Sequence, residues 1–174
     1  TPGAILLESK SNEVQMSFPR RFIFHANASG VSAHIRRPEN RVLPVQAASS
    51  LPVTGGISES KGGVTGLGDY VPFQSAETYA SGDYVDQEAA EAMTRAEVPF
   101  DGAPTRTTIT SRVRELRVGK RLSIGAADAG LDSQHDPQGA KERSFQLFGN
   151  RLDNIRVDDF VLKITLNEKL FNEY

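Results

Sequence analysis

The sequence predicts an all-β protein, an antiparallel β-sandwich with a β-barrel as the alternative. Three observations predict it. Apolar residues alternate with polar ones in several short runs, turn-forming dipeptides separate those runs, and one stretch alone carries a helical pattern. The chain has 174 residues, which reads as a single β-rich domain over 1–174 with enough length to bury a core.

From the N-terminus, the first element is Arg21 to Arg37. Phe22, Phe24 and Ala26 alternate with polar neighbours, and Val31, Ala33 and Ile35 do so again after Asn27-Ala28-Ser29-Gly30. Period 2 on both sides of a Gly/Asn stretch predicts a β-hairpin with Ala28-Ser29 at its tip. Arg41 to Gly56 contains Pro44 and Pro52, which cannot donate to a ladder and mark edge strands or extended crossings. Residues 57–69 hold four glycines and read as a loop. Tyr70-Val71-Pro72-Phe73 and Thr78-Tyr79-Ala80 read as short strands. Residues 86–97 read as a helical insertion. Val85, Ala89, Met93 and Ala96 share a helical stripe, Asp86 is placed to cap it, and Pro99 follows.

From Thr107 the strand pattern returns. Its apolar phase changes from odd (Ile109, Val113) to even (Leu116, Val118), which predicts a β-bulge near Arg114-Glu115. There is also an internal echo. Val113-Arg-Glu-Leu-Arg-Val-Gly-Lys-Arg-Leu122 resembles Leu152-Asp-Asn-Ile-Arg-Val-Asp-Asp-Phe-Val161, 39 residues further on. Both read as hairpins in one sheet system, with Gly119-Lys120 and Asp158-Asp159 as two-residue tips. After the second tip, Phe160, Leu162, Ile164 and Leu166 alternate with polar or β-branched residues.

Composition removes several functions. The chain has no cysteine, so thiolate metal sites, disulfides and Cys nucleophiles are excluded. A formal charge of −2 gives no global pull toward nucleic acid or acidic lipid, and no apolar run is long enough for a membrane helix. The chain starts at Thr1 rather than Met, so the N-terminus is read as processed or as the start of a fragment, and the compartment stays open.

The candidate motifs are weak ones. Leu51-Pro52-Val53-Thr54-Gly55 matches a sortase sorting signal but lies far from the C-terminus, so it reads as a chance match. Asn27-Ala28-Ser29 is a glycosylation sequon that the expected turn already explains. In the expected hairpin, His25 and His34 are diagonal neighbours on one face, too few to hold a metal alone. Asp128, Asp132, His135 and Asp136 suggest a hard cation such as calcium, although their spacing is not that of an EF-hand loop. Gly62 to Gly68 lacks the Lys-Ser/Thr of a phosphate-binding loop. Arg106 to Arg121 is strongly basic and Asp83 to Asp101 strongly acidic. With no aromatic interleaved, the basic stretch is read as a solvated face, or as the complement of the acidic one within the fold or between subunits, rather than as a nucleic-acid surface. No Ser-His-Asp arrangement stands out, and Asp158-Asp159 sits at an expected exposed tip.

Arg37-Pro38, Val45 to Gly56, Ser133-Gln-His-Asp-Pro137 and Phe148 to Phe171 resemble blocks of a family of uncharacterised bacterial β-proteins, with the likeness running from about residue 30 to the end. Those motifs are turns and strand pairs, so the resemblance implies one continuous domain and transfers no catalytic residue, metal or cofactor. The leading expectation is a non-enzymatic structural or assembly protein with no cofactor, self-associating through β edges and complementary charge patches. The alternatives are a small-molecule or carbohydrate-binding module, with calcium at Asp128–Asp136 as one form of it, and a hydrolase using His135 or His25.

Overall fold

Two antiparallel sheets face each other in the computed structural model, which describes residues 22–63, 70–88, 91, 103–136 and 143–167. A hairpin of β1 (Asn27–Ile35) and β2 (Arg41–Ser50) makes the small sheet. The large sheet contains β3 (Gly56–Gly63), β4 (Ser75–Tyr84), β5 (Thr105–Val118), β6 (Leu122–His135), β7 (Arg143–Leu147), β8 (Arg151–Asp153), β9 (Ile155–Val157) and β10 (Phe160–Leu162). Its order is β10-β9-β6-β5-β4-β3, with β7 and β8 also paired to β6. The sheet is open, so the molecule is a sandwich and not a barrel.

Small side chains set how closely the sheets meet. A Cβ on Gly30 of β1 would lie 2.6 Å from the Gln46 carbonyl oxygen and 2.9 Å from Ala76 Cβ of β4. Ala28, Ala47, Ala76 and Ala80 are buried along the same contact. Larger residues fill the two ends. Val31, Leu43, Val71, Phe73 and Val113 form one core cluster. Phe24, Ala26, Leu51 and Ala80 form the other, flanked by Phe22, Tyr84 and Ile109. Between them the Ser49 and Thr78 hydroxyls, both buried, are 2.7 Å apart.

The first hairpin differs from expectation. Asn27 to Gly30 lies inside β1 and forms no turn, and β1 pairs with β2, Asn27 opposite Ser50 and Ile35 opposite Arg41. The chain reverses at Arg36–Asn40 instead, where the Arg37–Pro38 peptide is cis. Gly30 resembles a turn residue but serves close approach between sheets. The expected loop over 57–69 is also corrected. Ile57 to Gly63 pair with β4 throughout, and Gly62 runs against β2, where a Cβ would lie 3.4 Å from Ala47 N. Residues 64–69 lie outside the described residues.

Tyr70 to Phe73 is not a strand. It runs along β5 through Arg117 N to Pro72 O and Gly119 N to Tyr70 O, and it delivers Val71 and Phe73 to the core. Thr78 to Ala80 is the middle of a ten-residue strand. Of the helix expected over 86–97, Gln87, Glu88 and Glu91 are helical, Asp86 precedes them without helical assignment, and 89–90 and 92–97 lie outside the described residues. At its start the Asp83 carboxylate accepts from Tyr84 N at 2.8 Å and from Gln87 Nε2 at 2.7 Å.

The phase change on β5 falls where expected, by a different device. Arg114 pairs with Ala126 and Leu116 with Ile124, so no residue is inserted and there is no bulge. Glu115 itself adopts a left-handed backbone, φ 51°. One such residue turns the next side chain over, so Val113 and Leu116 both reach the same core. The echo repeats this. Asn154 has φ 53°, and the tips carry Gly119 at φ 57° and Asp158 at φ 52°. Gly125 stands between the two bends, where a Cβ would lie 2.9 Å from Asn154 Cβ. The second tip is the expected two-residue turn, Val157 opposite Phe160, and the first takes three residues, Val118 opposite Leu122.

Candidate functional site

Strand pairing sorts the large sheet into two faces, because cross-strand partners share a face. Val113, Ala127 and Leu152 are partners and look toward β1 and β2. The other face is charged. Lys61, Glu77, Arg112, Asp128 and Arg151 lie opposite one another in turn across five strands, with alternating sign. Lys61 Nζ is 3.6 Å from Glu77, and Arg151 Nη2 is 2.8 Å from Asp128.

This face explains the basic strand. Arg114 forks onto Asp128, with Nη2 donating to Oδ2 at 3.2 Å and Nη1 to Oδ1. Arg106 Nε donates to both oxygens of Asp132 at 2.8 and 3.1 Å, and the Thr108 hydroxyl donates to the same carboxylate at 2.7 Å. Arg121 grips Asp158 with two bonds of 2.8 and 2.7 Å. Burial pushes the Asp128 and Asp132 carboxyls up, but the arginine hydrogen bonds and charges outweigh it and hold both below the usual carboxylate range. Asp158 is lowered by its hydrogen bonds from Arg121. Arg106, Arg114 and Arg121 are therefore matched by aspartates of β6 and of the second hairpin tip. The acidic stretch from 92 to 101 lies outside the described residues.

The expected cation cluster is not assembled. Asp128 and Asp132 are committed to arginines, and the His135 ring stacks on Phe22 with centroids 5.5 Å apart. Among the described residues no group of three His, Asp or Glu converges. With the first hairpin re-registered, His25 and His34 are nine residues apart in one extended run, on the order of 30 Å. His34 Nε2 is 2.7 Å from Asn40 Oδ1. The sorting-signal match is structural: Leu51 is buried and Gly55 N bonds Pro52 O at 2.9 Å. The sequon lies in a strand with Ala28 buried, so a turn does not explain it.

Two features were not singled out in the sequence. First, β1 and β2 lie over β3, β4 and β5, and the inner face of β6 to β8 continues beyond them. A cavity of about 400 Å³ opens there, lined chiefly by Val113, Ala127, Leu147, Leu152 and Leu166. Asn150 is at its wall. Its Oδ1 accepts from Gly130 N at 3.0 Å, and its buried Nδ2 has no partner among the described residues. Second, the C-terminal segment is apolar and exposed. Phe160, Val161, Leu162, Ile164 and Leu166 are 73, 69, 44, 45 and 41% exposed. Among the described strands β10 pairs with β9 alone. The expected strand through Leu166 ends at Leu162, and 163–167 have no assigned ladder.

The family model for the Domain of unknown function DUF8256 matches residues 22–174. The chain belongs to the DUF8256 family. This agrees with the resemblance to an uncharacterised family, and the match covers all the described strands of this DUF8256 domain. No curated protein and no solved structure matches it. Among its described residues no helix is long and apolar enough to cross a membrane.

Proposed function

We propose that this DUF8256 domain is a non-enzymatic β-module that works by self-association, a second copy pairing along β10. The observation that carries the reading is the edge itself. The strand reads Phe160-Val161-Leu162, with no charge, no proline and apolar side chains on both faces. An open edge of that composition is a template for strand addition. In antiparallel pairing of β10 with a second copy about a two-fold axis at Val161, Phe160 of each copy faces Leu162 of the other, so apolar side chains meet apolar ones.

Sedimentation of the full chain over a wide concentration range tests this. A reversible dimer is expected, with Phe160→Asp and Val161→Lys together giving a monomer of unchanged far-UV circular dichroism. A wild-type chain that stays monomeric at high concentration overturns the reading.

The cavity beside Asn150 favours a second reading, a small-molecule module without calcium. An apolar pocket with one unmet donor at its wall is a common form of ligand site. Saturable binding of an apolar fluorescent probe, lost in Leu152→Trp, would support it. Probe binding unchanged in that variant would remove it.

A further inference from the structure

The internal echo builds a second site on the charged face. Arg117 and Arg156 are equivalent positions of the two hairpins, and both lie opposite Ser123, one from each side. The three side chains therefore share one row across three strands, with the two arginine backbones about 10 Å apart. That is a span which two long side chains can close from both ends.

The neighbouring row is short of side chains, with Asn154 lying over Gly125. Glu115 and Asn154 occupy left-handed backbone, and Gly125 between them has no side chain. The result is a groove of about 710 Å³, bounded at its far end by the hairpin tips with Lys120 and the Arg121–Asp158 pair. Four cations face two carboxylates there, Glu115 and Asp158, and Asp158 is already held by Arg121. Arg106, Arg114, Arg121 and Arg151 each hold a carboxylate, whereas the Arg117 and Arg156 side chains are exposed and hold none among the described residues.

We propose that this groove binds a tetrahedral oxyanion, a phosphate or a sulfate, between the Arg117 and Arg156 guanidinium groups with the Ser123 hydroxyl as a third donor. Planar forked donors match the oxygens of such an anion in pairs, and a hydroxyl at the centre of the row supplies the remaining direction. The proposal does not depend on self-association, because β10 lies at the sheet edge beyond the groove.

The test is titration of the full chain with inorganic phosphate, with sulfate and with acetate at constant ionic strength in a chloride background, read by amide NMR shifts. Saturable shifts are expected on Ser123, Gly125 and the two hairpin tips for phosphate or sulfate, and the stronger of the two identifies the ester class. Arg117→Ala and Arg156→Ala should each weaken binding at least tenfold. Ser123→Ala should weaken it a few-fold, and Arg112→Ala, on the same face outside the groove, should leave it unchanged. No saturable shift, equal binding of acetate, or equal loss in Arg112→Ala overturns the proposal. Both key arginines are exposed, so unchanged thermal midpoints separate loss of binding from loss of fold.

Discussion

The hairpin at 113–122 and its echo at 152–161 share a backbone and differ in surroundings. Each bends through a left-handed residue, Glu115 or Asn154, and each turns at another, Gly119 or Asp158. The first copy has strands on both sides, and the second ends the sheet. After the tip the first copy continues Arg121-Leu122 and the second Phe160-Val161, so the edge copy presents the more apolar pair. The difference teaches that local sequence specifies the bend, while position in the sheet decides whether an apolar side chain is covered.

Burial within the edge copy gives the largest expected effect. Ile155→Ala, at a position only 4% exposed, should cost about 2–5 kcal/mol in urea unfolding. Phe160→Ala, five residues on, should stay within about 0.5 kcal/mol for the monomer. Equal losses would break the distinction between covered and uncovered residues.

The contact between the two copies comes next. Gly125→Ala should cost about 1–3 kcal/mol, because its methyl meets Asn154. Adding Asn154→Gly should recover most of that loss, and a strictly additive double variant would show that the two bends are not in contact.

A smaller effect separates the bends themselves. Glutamate pays for left-handed backbone and asparagine tolerates it. Glu115→Gly should therefore stabilise by about 0.5–1 kcal/mol and Asn154→Gly by about zero, measured as shifts in the urea midpoint.

The smallest difference is in acid. Asp128 and Asp158 have lowered carboxyl pKa values in the fold, so each contributes stability above the unfolded carboxyl value of about 4. That contribution disappears as pH falls through the lowered folded value. Asp128→Asn should flatten the acid limb of an unfolding curve more than Asp158→Asn, because Asp158 is exposed and screened.

What was legible in the sequence was local. The echo, the tip at Asp158-Asp159 and the break beside Arg114 all follow from neighbours in the chain. What was not legible depends on distant partners. Gly30 and Gly62 looked like turn and loop residues because the strands they pass, β4 and β2, are not adjacent to them in sequence. The arginines of β5 looked unmatched because Asp128 and Asp132 face them only once β6 is paired. The groove at Arg117 and Arg156 was half legible: the repeated Leu/Ile-Arg-Val was visible, but the row through Ser123 needs the register of three strands.

The hydroxyl pair of Ser49 and Thr78 divides the interior. On one side lie Phe24 and Leu51, on the other Phe73 and Leu43, and at the division the sheets touch through hydrogen-bonded oxygens rather than interlocking hydrocarbon. A seam of this kind is expected to let the two ends open separately. Hydrogen exchange should then sort the amides of β4 into two protection levels, with the step at Thr78.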